Sequence, residues 1–79
     1  MRQVGTIPHK DFKIIVYGAE QYFYVEIEAG PMKQCYKFKK ELVPNLTELE
    51  KVFTPEFKAQ IHSVFNTMFV NYKEALPLP

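Results

Sequence analysis

A chain of 79 residues has room for one domain, and with 47% hydrophobic residues, seven Phe and five Tyr it can build a core without disulfide or metal staples. Ten Lys and Arg stand against nine Asp and Glu, a net charge of +1 that speaks against a dedicated polybasic nucleic-acid or membrane binder. The lone Cys35 excludes an internal disulfide and fits a reducing compartment. Met1 to Lys13 holds no signal-peptide apolar run, and no stretch approaches the ~20 residues of a membrane span. A soluble, cytoplasmic protein is the expectation.

Met1 to Lys10 reads as an extended arm or a short fourth strand. Val4, Thr6 and the Ile7-Pro8 step favour extension, because proline biases the residue before it away from helix and lacks a ladder donor. Three strands follow. Phe12 to Tyr17 sets Phe12, Ile14 and Val16 on one face and Lys13, Ile15 and Tyr17 on the other. After a turn at Gly18-Ala19-Glu20-Gln21, Tyr22 to Ala29 alternates Phe23, Val25 and Ile27 against Tyr22, Tyr24, Glu26 and Glu28. Gly30-Pro31 marks the next turn. Met32 to Lys40 sets Met32, Tyr36 and Phe38 against Lys33, Cys35, Lys37 and Lys39. Connections this short make neighbouring strands antiparallel.

Pro44 closes the strand region, and two helix starts come after it. Thr47-x-x-Glu50 has the capping-box form, with Leu46, Leu49, Val52 and Phe53 on one side of the short helix it opens. Thr54-Pro55-Glu56 is a second start, with Thr54 as N-cap and Pro55 in the first turn. From there Phe57, Ile61, Val64, Phe65, Met68, Phe69, Tyr72 and Leu76 form one apolar stripe, which Pro77 ends. The fold class is therefore α+β: a three-stranded meander, with a candidate short N-terminal strand, packed on a long C-terminal helix that a short helix precedes. From Pro55 to Leu76 that helix runs ~33 Å at 1.5 Å per residue. A seven-residue strand spans only ~23 Å. The helix is expected to overhang its sheet.

If the Phe23/Val25/Ile27 face meets the helix, the opposite face carries Ile15, Tyr17, Tyr22 and Tyr24, with Lys33, Lys37 and Lys39 beside Glu26 and Glu28. Three readings stay open. The face is an ordinary solvated sheet with cross-strand Glu–Lys pairs. Alternatively it is an association surface, apolar rings rimmed by charge, for a homodimer that buries either this patch or the helix overhang, or for another protein. Or Tyr22 and Tyr24 stack the bases of a single-stranded nucleic acid while Lys37 and Lys39 track its phosphates, against repulsion from Glu26 and Glu28.

Catalytic signatures are absent. His9, His62 and Cys35 stand apart, with no C-x-x-C or H-E-x-x-H pattern for a metal. His62 reads as a boundary residue of the helix stripe, and His9 as a solvated side chain beside Lys10 and Asp11. Cys35 lies mid-strand without an identifiable base, and Ser63, the one serine, falls on the polar side of the helix. Gly5, Gly18 and Gly30 are too far apart for a phosphate loop. The expectation is a non-enzymatic protein with no cofactor, whose partner is a protein, itself or another.

The opening Met1-Arg2-Gln3-Val4-Gly5-Thr6-Ile7-Pro8-His9, followed by Phe12-Lys13-Ile14, resembles the start of a group of short uncharacterised bacterial proteins. The similarity extends through the strands to Tyr36-Lys37 and more loosely into the final helix. It implies a bacterial cytosolic origin and a complete natural chain. It carries no activity, ligand or functional residue.

Overall fold

Alternating side chains in the first half of the chain become a four-stranded antiparallel sheet in a computed structural model that describes residues 1–77. The strands are β1 (Arg2–Ile7), β2 (Lys13–Gly18), β3 (Tyr22–Ala29) and β4 (Met32–Lys39), hydrogen-bonded in chain order. Two helices follow, α1 (Leu46–Val52) and α2 (Pro55–Ala75). The N-terminal arm is thus a full strand of the sheet. Ile7 pairs with Ile14 and joins the core, while a register shift between Gln3 and Gly5 leaves Val4 as the extra residue of a bulge. A bulge twists an edge strand away from unwanted partners.

The β3–β4 hairpin is tight because Ala29 pairs with Met32 across Gly30-Pro31. Gly30 has a φ of 59°, the positive value that a type II′ hairpin requires at its first central position. Phe12, expected inside the first strand, lies in the bend just before β2 and still packs half-buried against the core.

One sheet face holds Ile14, Val16, Phe23, Val25 and Ile27, all buried, and both helices lie on it. Leu46 of α1 comes within 3.5 Å of where a Cβ on Gly5 would sit, so this helix covers β1. Leu49 and Phe53 are buried beside it. An aromatic chain fastens α2 to β4: Phe38 to Phe53 at 6.4 Å between centroids, Phe53 to Phe57 at 5.2 Å, and Phe57 edge-on to Tyr36 at 5.5 Å. Pairs of this geometry add about 0.5–1.5 kcal/mol each beyond the area they bury.

The α1 cap differs from expectation. Asn45, not Thr47, is the N-cap, and its side-chain oxygen accepts the Glu48 backbone N–H at 2.9 Å. The Asn45-x-x-Glu48 spacing has the same form as Thr47-x-x-Glu50 two residues later. The earlier start wins because Asn caps better than Thr and because it adds Leu46 to the face that meets the sheet. The Glu48 carboxylate is taken by Lys51 at 3.2 Å instead of turning back on the cap. At α2 the expectation holds: Thr54 accepts from Phe57 N–H at 3.1 Å, with Pro55 in the first turn.

Gln34 sits in the apolar row of β4, between Met32 and Tyr36, and is buried. Its amide donates to the Ile61 carbonyl of α2 at 3.0 Å and its oxygen accepts the Tyr36 hydroxyl at 2.8 Å. No buried side-chain polar atom among the described residues lacks a partner. The amide therefore acts as a pin between sheet and helix, because either group left unpaired in the core would be costly.

Two stability measurements check these assignments by urea denaturation. Asn45→Ala should lose ~1 kcal/mol while Thr47→Ala stays within ~0.5 kcal/mol of the parent. Equal losses would return the cap to Thr47. Gln34→Ala should lose ~1–3 kcal/mol, and Tyr36→Phe less, because only one of the two bonds goes.

Candidate interaction surfaces

The pairing register brings the predicted outer-face residues together in rows. Tyr17, Tyr24 and Lys37 lie side by side across β2, β3 and β4, as do Ile15, Glu26 and Cys35. Lys13, Glu28 and Lys33 form a third row, and Tyr22 opposes Lys39. The Tyr17 and Tyr24 rings are 6.5 Å apart and tilted, and the Lys37 ammonium stands 5.0 Å over the Tyr22 ring.

These groups largely satisfy one another. Lys33 reaches Glu26 at 3.3 Å and Glu28 at 3.6 Å, and its pKa is raised by the hydrogen bond and charge of Glu26, with Glu28 adding to it. Ile15, Tyr17, Tyr22 and Tyr24 are all half-buried by their neighbours, so the face is less open than four uncovered side chains imply. Lys33, Lys37 and Lys39 also line the outer edge strand of the sheet, where lysines discourage pairing with another chain. Tyr24 lies diagonal to Cys35, and the neighbouring thiol is the largest cause of a phenol pKa raised above its ordinary value.

The second surface is the far end of α2. Ile61 and Phe65 are buried and Phe57 and Met68 half-buried, but the stripe does not end where the sheet does. Phe69 and Tyr72 remain 42% exposed, Val64 and Leu76 45%. From Asn66 to Ala75 the helix runs ~15 Å with almost no cover. The overall form reflects this: the radius of gyration is 14.2 Å and the extents 48 × 26 × 19 Å. A compact domain of this length has a radius near ~11.6 Å. Val70, 53% exposed, projects from the opposite side of the helix and does not belong to the stripe.

Beside the projection lies a hollow of about 240 Å³, lined chiefly by Phe12, Pro31, Met32, His62, Phe65 and Phe69. Its wall is aromatic: Phe12 meets Phe65 at 5.2 Å and His62 at 5.9 Å between centroids. His9, expected to be solvated, is instead stacked on Phe12 at 4.5 Å and accepts the Asp11 N–H at 3.0 Å. The sequence reading found neither this stack nor the hollow, since His9 and Phe12 are separated from Phe65 by more than fifty residues.

Cys35 is free and exposed on the outer face. Among the described residues no group of His, Cys, Asp and Glu could hold a metal ion, and no helix is long and apolar enough to cross a membrane. Comparisons with protein-family models, with curated proteins and with solved structures find no match. The surfaces themselves are therefore the basis for a functional reading.

The Tyr24–Cys35 contact has a titration signature. Folding favours the neutral phenol, so the stability it supplies is present below about pH 10 and declines as pH rises from there through the raised folded-state value. Cys35→Ala should move the Tyr24 midpoint down, as read by the chemical shift of its ring carbon beside the hydroxyl. An unmoved midpoint would remove the thiol as the cause.

Proposed function

We propose that this protein is a non-enzymatic association domain that pairs with a second copy of itself through the projecting end of α2. The observation that carries the reading is the continuation of one apolar helix face past the sheet, leaving Phe69, Tyr72 and Leu76 uncovered. Burying such a face is the ordinary source of association free energy, at about 25 cal/mol per Å² of apolar surface. The outer sheet face, with Ile15, Tyr17, Tyr22 and Tyr24, is the secondary surface for the same function. Its rings and charges are already engaged with each other, which leaves less to gain from a partner.

A bacterial cytoplasm is the compartment proposed. The unpaired, exposed thiol of Cys35 supports a reducing environment, and the resemblance of the opening segment supports the source. The reading requires no cofactor and no membrane.

Single-stranded nucleic-acid binding by Tyr22, Tyr24, Lys37 and Lys39 is the alternative, and the aligned Tyr17–Tyr24–Lys37 row favours it. Against it stand Glu26 and Glu28 on the same face and the engagement of Lys33 by both. This alternative predicts binding that weakens steeply with salt.

Light scattering from low to high micromolar concentration tests the proposal. A concentration-dependent dimer is expected, abolished by Tyr72→Glu and little changed by Tyr24→Glu. Loss of the dimer in Tyr24→Glu alone would move the interface to the sheet. A parent protein that stays monomeric throughout would sink self-association, and low-salt oligonucleotide binding would then decide the alternative.

A further inference from the structure

The far end of α2 and the hollow beside its middle share one strip of the helix. His62, Phe65, Phe69, Tyr72 and Leu76 follow one another at steps of three, four, three and four residues, the spacing of a coiled-coil seam. This seam is rotated from the line of Phe57, Ile61 and Met68, which faces the sheet, toward the side where the hollow opens. Its first half, His62 and Phe65, lines the hollow together with Phe12 and Met32. Its second half, Tyr72 and Leu76, projects free. Phe69 stands between them, half-exposed, at the mouth of the hollow.

Leu76 lies seven residues after Phe69 and His62 seven before it, each ~10.5 Å along the axis. Resting on the association reading, we infer that two copies pair α2 against α2 in antiparallel fashion about a two-fold axis at Phe69. Each copy's Tyr72 and Leu76 then fill the other's hollow. One strip that carries both a ridge and a recess at equal distances from its centre is self-complementary, which is what a two-fold interface demands. A foreign partner would have to supply both features.

Size and charge agree with this occupant. A hollow of about 240 Å³ is smaller than the ~300–1,000 Å³ of ordinary ligand pockets, and suits docked side chains better than a separate small molecule. No carboxylate side chain belongs to the seam, and the one ammonium on it is that of Lys73, folded 5.0 Å over the Phe69 ring so that its apolar stem adds to the strip. Antiparallel pairing also opposes the two helix dipoles. A strip ~21 Å long and ~10 Å wide covers about 200 Å² on each copy before the walls of the hollow are added. An area of this size belongs to weak, reversible association, so the dimer is sought at high protein concentration.

Isotope-filtered nuclear Overhauser spectroscopy on an equal mixture of labelled and unlabelled protein tests the seat at high concentration. Cross-peaks between the Leu76 methyls of one copy and the Met32 methyl or Phe12 ring of the other are expected. Leu76→Asp should weaken the dimer at least tenfold without unfolding the domain, because Leu76 belongs to no part of the core. A dimer seen by light scattering whose intermolecular peaks come from Ile15 and Tyr24 would overturn this seat and leave self-association standing. A monomer at the same concentration would overturn both.

Discussion

The hydrogen bond from the Gln34 amide to the Ile61 carbonyl fixes where the long helix meets the sheet. Ile61 is only the seventh residue of a 21-residue helix. Pinned there, α2 spends its first turns on β4 and has no sheet beneath its last ones. Everything distinctive about the molecule's outline follows from that offset: a core concentrated under Phe57, Ile61 and Phe65, and an apolar face that outruns it. Sliding the helix to cover its stripe would take the Ile61 carbonyl away from the buried Gln34 amide. An unpaired buried amide costs as much as several methyl groups gain, so the offset is the stable arrangement.

The sheet solves a different problem with the residues that looked most functional. Lys33, Lys37 and Lys39 lie on an edge strand, and Arg2 and the Val4 bulge lie on the opposite edge. Charge along one border and an irregular backbone along the other both deter unwanted strand addition. With its strand edges guarded this way the sheet offers little to backbone pairing, whereas the face of α2 past the sheet is bare side chain. The two glutamates of β3 both engage Lys33 on the outer face.

Much of the fold was legible because the apolar period changes cleanly. Phe23, Val25 and Ile27 alternate and are buried, whereas Phe57, Ile61 and Phe65 recur every fourth residue, with Ile61 and Phe65 buried and Phe57 half-buried against the core. The turn at Gly30-Pro31 and the Thr54-Pro55 start are local chemistry and were readable for that reason. Where two local signals compete, sequence alone does not choose between them. Asn45 and Thr47 can each cap a helix, and the contact of Leu46 with β1 adds to the modest capping preference for Asn in favour of the earlier start. The N-terminal strand was left open because its hydrogen bonds belong to β2, a partner that local propensity does not see. The overhang of α2 was readable from lengths alone, while the share of the stripe left bare was not.

By itself the sequence determined the order of elements, the two faces of each strand and the apolar stripe of the last helix. These depend on side-chain periods within a few residues. Only the tertiary structure decided that Gln34 pins the helix at its first third, that Phe12, with His9 stacked on it, walls a hollow beside Phe65, and that the bare end of α2 repeats the line of that hollow. These are relations between segments distant in the chain. They are set by which buried polar groups must meet and by how far a ~31 Å helix exceeds the sheet that supports it.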